Sequence, residues 1–141
     1  MATTIHDTYE MPTDIVAIDA ARRWAEAHAR RAAVDDAAIA DLQLAMTEAL
    51  SNVIRHSYEG RPGEQVQLLL DIDESRLALG IRDRGLPFDA ERYRPPDLDQ
   101  PADGGYGVFL IEELMDEVSR RPLDDGGGTL VELVRYRKER P

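Results

Sequence analysis

The sequence predicts an α+β fold, a two-layer α/β sandwich with helices on one face of a mostly antiparallel mixed sheet. Three observations carry this expectation. Two runs with helical apolar spacing lie in the first half of the chain, separated near Asp35-Asp36. Two short apolar-rich runs, residues 65–73 and 76–82, follow and are joined by Asp73-Glu74-Ser75, the pattern of an antiparallel hairpin. A third helical run and a final β-rich run, Thr-Leu-Val-Glu-Leu-Val-Arg-Tyr at 129–136, complete the set.

The first helix is expected from Pro12-Thr13-Asp14, where Thr13 or Asp14 can cap free N–H groups, to about Arg31. Ile15, Ile18, Ala21, Ala25 and Ala29 form its apolar stripe, with Trp24 and His28 packing at the edge. Before it, residues 3–11 read as an extended lead-in with Ile5 and Tyr9 apolar among polar neighbours. The second helix should run from Asp35-Asp36 to about Ser57, with Ile39, Leu42, Met46, Ala49, Leu50, Val53 and Ile54 on one broad apolar face. Glu48, Asn52 and His56 recur at every fourth residue and line up on one side of it, away from the apolar centre. The helix can therefore bury one face and still present an acid and an amide to a cleft.

Residues 59–63, Glu-Gly-Arg-Pro-Gly, read as a turn into the hairpin. The second hairpin strand runs straight into Asp83-Arg84-Gly85-Leu86-Pro87. A long irregular stretch follows, with Pro95, Pro96 and Pro101, and residues 89–104 suit a lid or binding loop. It closes on Gly104-Gly105-Tyr106-Gly107, which opens a third helix expected from Val108 to about Val118, with Phe109, Ile111, Leu114, Met115 and Val118 as its core contacts. Residues 124–128 are expected to turn into the last strand.

At 141 residues the chain is read as one domain, with its core over residues 12–136. A net charge of −11 argues against a nucleic-acid surface, which needs clustered cations, and suits solubility or a basic protein partner better. With no cysteine there is neither a disulfide framework nor a thiolate site, and three scattered histidines, His6, His28 and His56, make zinc unlikely. No apolar run has the length of a membrane span and the first ten residues lack an apolar signal core, so a cytoplasmic protein is expected.

Three punctuated spots fall at element ends. Glu48 and Asn52 are four apart on a helix; Asp83-x-Gly85 closes a strand; a glycine-rich turn opens a helix, where free N–H groups and the dipole favour phosphate. Each alone has an ordinary reading: a solvated face, a plain turn, a flexible joint. No G-x-G-x-x-G or G-K-[ST] pattern is present. Their occurrence together, in this order, is far more specific.

With those motifs the chain resembles the GHKL (Bergerat-fold) ATP-binding domains, and among them the bacterial anti-sigma-factor serine-protein kinases. The matching residues are Glu48-x-x-x-Asn52-x-x-x-His56, Asp83-Arg84-Gly85, Gly105-Tyr106-Gly107 and Gly128-Thr129, with the run from Gly107 to Val118 also typical of that branch. The resemblance spans about residues 12–136. It implies ATP and Mg²⁺ as cofactors, with Asn52 holding Mg²⁺ and Glu48 polarising the attacking serine hydroxyl. It further implies that Asp83, helped by Thr129, receives the adenine amino group, and that Gly85 lets adenine approach the backbone. Gly105 and Gly107 would hinge the lid and offer N–H groups to the phosphates, while His56 would support the helix. The implied partners are a sequestered sigma factor and a STAS-domain anti-sigma-factor antagonist phosphorylated on Ser or Thr. Homodimerisation through the lead-in strand is a further expectation of that branch.

The chain departs from the family in two places. The second glycine of the usual Asp-x-Gly-x-Gly is Pro87, with fixed φ and no N–H, and the lid offers only Arg92 and Arg94 as cations. These departures give weight to an alternative: a non-catalytic partner-switching module in which nucleotide is structural or absent. The intact Glu48 favours the kinase, because a structural nucleotide site has no use for a general base.

Overall fold

A computed structural model describes residues 4–85, 106–123 and 127–137. The elements run β1 (Ile5–Pro12), a 3₁₀ turn (Ile15–Ala17), α1 (Ile18–Arg31), α2 (Asp36–Asn52), a π-turn (Val53–Ser57), β2 (Gln65–Ile72), β3 (Arg76–Asp83), α3 (Tyr106–Leu114), β4 (Glu117–Pro122) and β5 (Thr129–Tyr136). Five strands form one sheet in the order β1-β2-β3-β5-β4, and every described pairing is antiparallel.

Alternation along the strands fixes which face carries the helices. Val66, Leu68, Leu70 and Ile72 of β2, Leu77, Leu79 and Ile81 of β3, and Val131 and Leu133 of β5 are buried on one face. There they meet Ala21, Ala25 and Ala29 of α1 and Ile39, Leu42, Met46 and Leu50 of α2 in one core. Small alanines along α1 let it lie close to this layer. α2 packs between α1 and α3. The two-layer α+β expectation matches this arrangement.

Polar ties hold the layers in register. Asp7 of β1 accepts from Trp24 Nε1 at 3.0 Å and pairs with His28 Nε2 at 2.7 Å, while Trp24 lies against Tyr9 with ring centroids 5.3 Å apart. So Trp24 and His28 pack at the edge of the stripe as expected, and also carry hydrogen bonds to the lead-in strand. Arg135 of β5 reaches Asp41 of α2 at 3.1 Å and Asp116 at 3.4 Å.

Three boundaries differ from expectation. Thr13 is no helix cap: its buried hydroxyl donates to the Arg61 carbonyl and accepts from the Glu64 N–H, closing the 59–63 turn onto β1. Asp14 supplies the cap instead, to the 3₁₀ turn, by accepting from Val16 N–H. The third helix ends at Leu114, and Val118 lies in β4. The sequence does not declare Glu117–Pro122 as a strand, because Val118 and Pro122 are its only apolar residues; as the sheet's outer strand it needs only Val118 against the core.

Asp35 caps α2 by accepting from the Ala38 N–H at 3.0 Å. Asp35→Ala removes that acceptor and is expected to cost about 1 kcal/mol, lowering the thermal midpoint by roughly 3–5 °C. A thermal melt of the two proteins checks it.

Candidate functional site

At one end of the sheet the apolar alternation of β3 stops at a carboxylate. Leu77, Leu79 and Ile81 point to the helices, and Asp83 takes the next position on the same face, only 1% exposed. The register pairs it with Thr129 of β5, itself 4% exposed. Asp83 Oδ1 accepts the Gly85 N–H at 3.0 Å. Burial pushes the Asp83 pKa up, and among the described residues no cation offsets it. Thr129 Oγ1 is buried without a hydrogen-bond partner. A buried carboxylate and an orphaned hydroxyl, side by side, are costly in an isolated fold and suit a polar ligand that completes both.

Two glycines make this corner possible by letting backbone touch backbone. A Cβ on Gly85 would lie 2.2 Å from the Ser57 carbonyl oxygen at the end of the π-turn. Gly128 has φ +116°, and its Cβ would lie 1.9 Å from the Asp83 carbonyl oxygen. The Asp83-Arg84-Gly85 turn is thus seated between the end of the α2–π-turn segment and the start of β5. The need for glycine at position 85 comes from Ser57, a contact within the chain.

α2 delivers the other two residues. Gln43 marks the flank facing α1, where its amide donates to the Glu26 carboxylate at 2.8 Å. Glu48 and Asn52 fall on the opposite flank together with Asp41, the partner of Arg135. Both are partly exposed, and neither side chain is held by another described residue. Asn52 precedes Ser57 by five residues, about 7–8 Å of helix rise. The helix therefore carries Glu48 and Asn52 close to the corner that holds Asp83. His56 is exposed, on the π-turn. Gly107 sits in the first turn of α3. Gly105, Pro87, Arg92, Arg94 and the 89–104 loop lie outside the described residues.

Three contributors carry no sequence signal for their part in the corner: the Ser57 backbone, Tyr58, whose hydroxyl accepts from the Arg84 N–H at 2.7 Å, and Gly128 as a packing residue. Gly128 was quoted as a motif position, but its triplet reads as a plain hairpin turn. Ser57 and Tyr58 carried no signal, since a π-turn has no distinctive periodicity.

Raising the folded pKa of Asp83 means its contribution to stability is best below the ordinary carboxylate value of 3.8 and declines as pH rises through the folded pKa. Asp83→Asn keeps an acceptor for Gly85 and removes the buried charge. It is expected to raise the thermal midpoint of the nucleotide-free protein by roughly 2–5 °C at pH 7, with the gap closing on acidification. Gly128→Ala places a methyl into the Asp83 carbonyl and is expected to destabilise by about 2 kcal/mol or more, measured by urea unfolding.

Comparison with known proteins identifies the family and the fold. The family model described as a histidine kinase-like ATPase domain matches residues 11–135. A protein named serine-protein kinase RsbW from Listeria monocytogenes is 31% identical over 147 residues, covering 97% of this chain and 92% of the relative. One of the same name from Bacillus pumilus is 37% identical over 109 residues, covering 70% of this chain and 65% of the relative. A crystal structure of the RsbU and RsbW domains of a Mycobacterium tuberculosis protein superposes with a TM-score of 0.68 at 19% identity, over 97% of this chain and 33% of that longer one, a likeness of fold. The chain belongs to the histidine kinase-like ATPase domain family, in the group of the RsbW serine-protein kinases.

Proposed function

We propose that this protein is an ATP-binding anti-sigma regulatory factor that phosphorylates a serine or threonine of a STAS-type anti-sigma-factor antagonist and sequesters a sigma factor. The observation that carries the reading is the buried Asp83–Thr129 pair, a carboxylate and an unpartnered hydroxyl facing the helix layer. An exocyclic amine is a donor that suits Asp83, and the Thr129 hydroxyl can complete the polar contact to the base.

Asn52 would hold Mg²⁺ through its amide oxygen. A hard oxygen on a partly exposed side chain, not engaged by its described neighbours, fits a cation that keeps waters and phosphate oxygens as its other ligands. When bound, ATP supplies the phosphoryl group and Mg²⁺ neutralises charge between its phosphates. Glu48, one turn before Asn52 on the same flank, would accept the proton of the attacking hydroxyl at its carboxylate. Gly107 in the first turn of α3, with Gly105 before it, would offer N–H groups to the phosphates.

The names of the relatives, serine-protein kinase, support the kinase assignment. The net charge of −11 suits basic surface on a partner. β1, an edge strand with one side unpaired among the described residues, is where a second copy of the chain would add. No helix among the described residues is long and apolar enough to cross a membrane, and a cytoplasmic setting belongs to the same reading. Pro87 favours a second reading, a partner-switching module without phosphoryl transfer.

Calorimetric titration of ATP and ADP, with and without Mg²⁺, separates the two readings when paired with a transfer assay. Asn52→Ala is expected to weaken ATP binding about tenfold or more when Mg²⁺ is present and little in its absence. Glu48→Ala should still bind ATP but lose phosphoryl transfer by about 100-fold or more. Absence of nucleotide heat in the wild type at high protein concentration contradicts the kinase reading.

A further inference from the structure

Tyr58 stands at the junction between the π-turn and the Asp83 corner, and the reaction scheme above gives it no role. It is 2% exposed, and its hydroxyl makes two hydrogen bonds: it donates to the Gln65 carbonyl at 2.9 Å and accepts from the Arg84 N–H at 2.7 Å. The two bonds fix the hydroxyl's roles, because its single proton is spent on Gln65 and a lone pair faces Arg84. Burial pushes the phenol's pKa up, so the proton stays in place through the neutral range.

The significance lies in what the Arg84 N–H would otherwise do. Arg84 and Gly85 present successive N–H groups beside the Asp83 carboxylate, and Oδ1 already accepts the second of them at 3.0 Å. Aspartates in this chain readily turn back onto their own backbone. Asp7 accepts the N–H of the next residue at 2.9 Å, and one oxygen of Asp73 takes N–H groups two and three residues on, at 2.8 and 3.0 Å. An Arg84 N–H without Tyr58 has the same option with Asp83, and a carboxylate that accepts both neighbours has turned away from the ligand side.

We propose that Tyr58 is a positioning residue for base recognition: by occupying the Arg84 N–H, its hydroxyl keeps one Asp83 oxygen free for the exocyclic amine of the nucleotide. The inference rests on the reading that Asp83 receives that amine. Tyr58 touches no ligand itself and acts through the turn. Its hydroxyl also ties the turn to the carbonyl of Gln65, the first residue of β2, so the corner is anchored to the hairpin on one side and the α2–π-turn segment on the other.

The test uses the full chain and two nucleotides, ADP and purine riboside 5′-diphosphate, which lacks the exocyclic amine. Wild type is expected to bind ADP about tenfold or more tightly than the analogue, the discrimination given by one charge-assisted hydrogen bond in a buried site. Tyr58→Phe should bring that ratio to roughly twofold or less by weakening ADP alone, with the analogue's affinity held within about twofold. A merely structural role would weaken both nucleotides equally, so an unchanged ratio in Tyr58→Phe overturns the inference while leaving the base assignment standing. A wild type that does not distinguish the two nucleotides overturns the base assignment and the inference with it. Should Tyr58→Phe fail to fold, 3-fluorotyrosine at position 58 preserves the ring and weakens the hydroxyl as an acceptor. A fall in the ratio of about two- to threefold then supports the inference, and an unmoved ratio overturns it.

Discussion

The seating of the Asp83-Arg84-Gly85 turn between two backbone segments is the constraint on which the rest of the site depends. Gly85 lies against the Ser57 carbonyl and Gly128 against the Asp83 carbonyl, at separations no side chain would permit. That contact brings the end of the α2–π-turn segment to the end of the sheet. It also explains why a carboxylate can occupy an inward position at the end of an apolar strand: the turn fixes its backbone, and one oxygen is held by Gly85. The folded state tolerates a buried acid and an orphaned hydroxyl there because the apolar core beneath, built from β2, β3, β5 and two helices, supplies stability elsewhere.

The same seating relates the two halves of the proposed chemistry. α2 enters capped by Asp35, buries one face, and carries Glu48 and Asn52 on the flank away from α1. It then widens into the π-turn before reaching Tyr58 and the corner. Single-turn π segments inside helices recur at functional sites because the extra residue redirects the chain without ending it. Here that redirection sets the Ser57 carbonyl and the Tyr58 hydroxyl against the turn that bears Asp83. In the proposed reading, base recognition and phosphate chemistry are then two ends of one rigid connection.

Much of this was legible in the sequence because it rests on periodicity. The helices, the hairpin and the last strand declare themselves through apolar spacing, and Asp83 and Thr129 were both named, although their register pairing became visible only in the sheet. What escaped had no apolar signature. β4 has only Val118 and Pro122 as apolar residues, and Val118 continues the helical spacing of the preceding run. Thr13 looked like a cap because Ser, Thr and Asp before an apolar run usually are; its hydroxyl is taken instead by a turn some fifty residues away, a long-range choice that local patterns do not reveal. The resemblance implies that Gly85 lets a ligand approach the backbone; the structure adds a second demand, since a Cβ there would meet the Ser57 carbonyl. Tyr58 gave no clue at all, since its importance lies in a backbone N–H.

In the proposed reading the buried Asp83–Thr129 pair is completed by an adenine nucleotide. A crystal structure of the protein with Mg²⁺ and a non-hydrolysable ATP analogue tests it most directly. The exocyclic amine is expected within hydrogen-bonding distance of the Asp83 carboxylate, with Thr129 Oγ1 gaining its missing partner and Mg²⁺ on the Asn52 amide oxygen. A nucleotide bound with its base away from Asp83, or Thr129 left unpartnered beside it, would contradict the account.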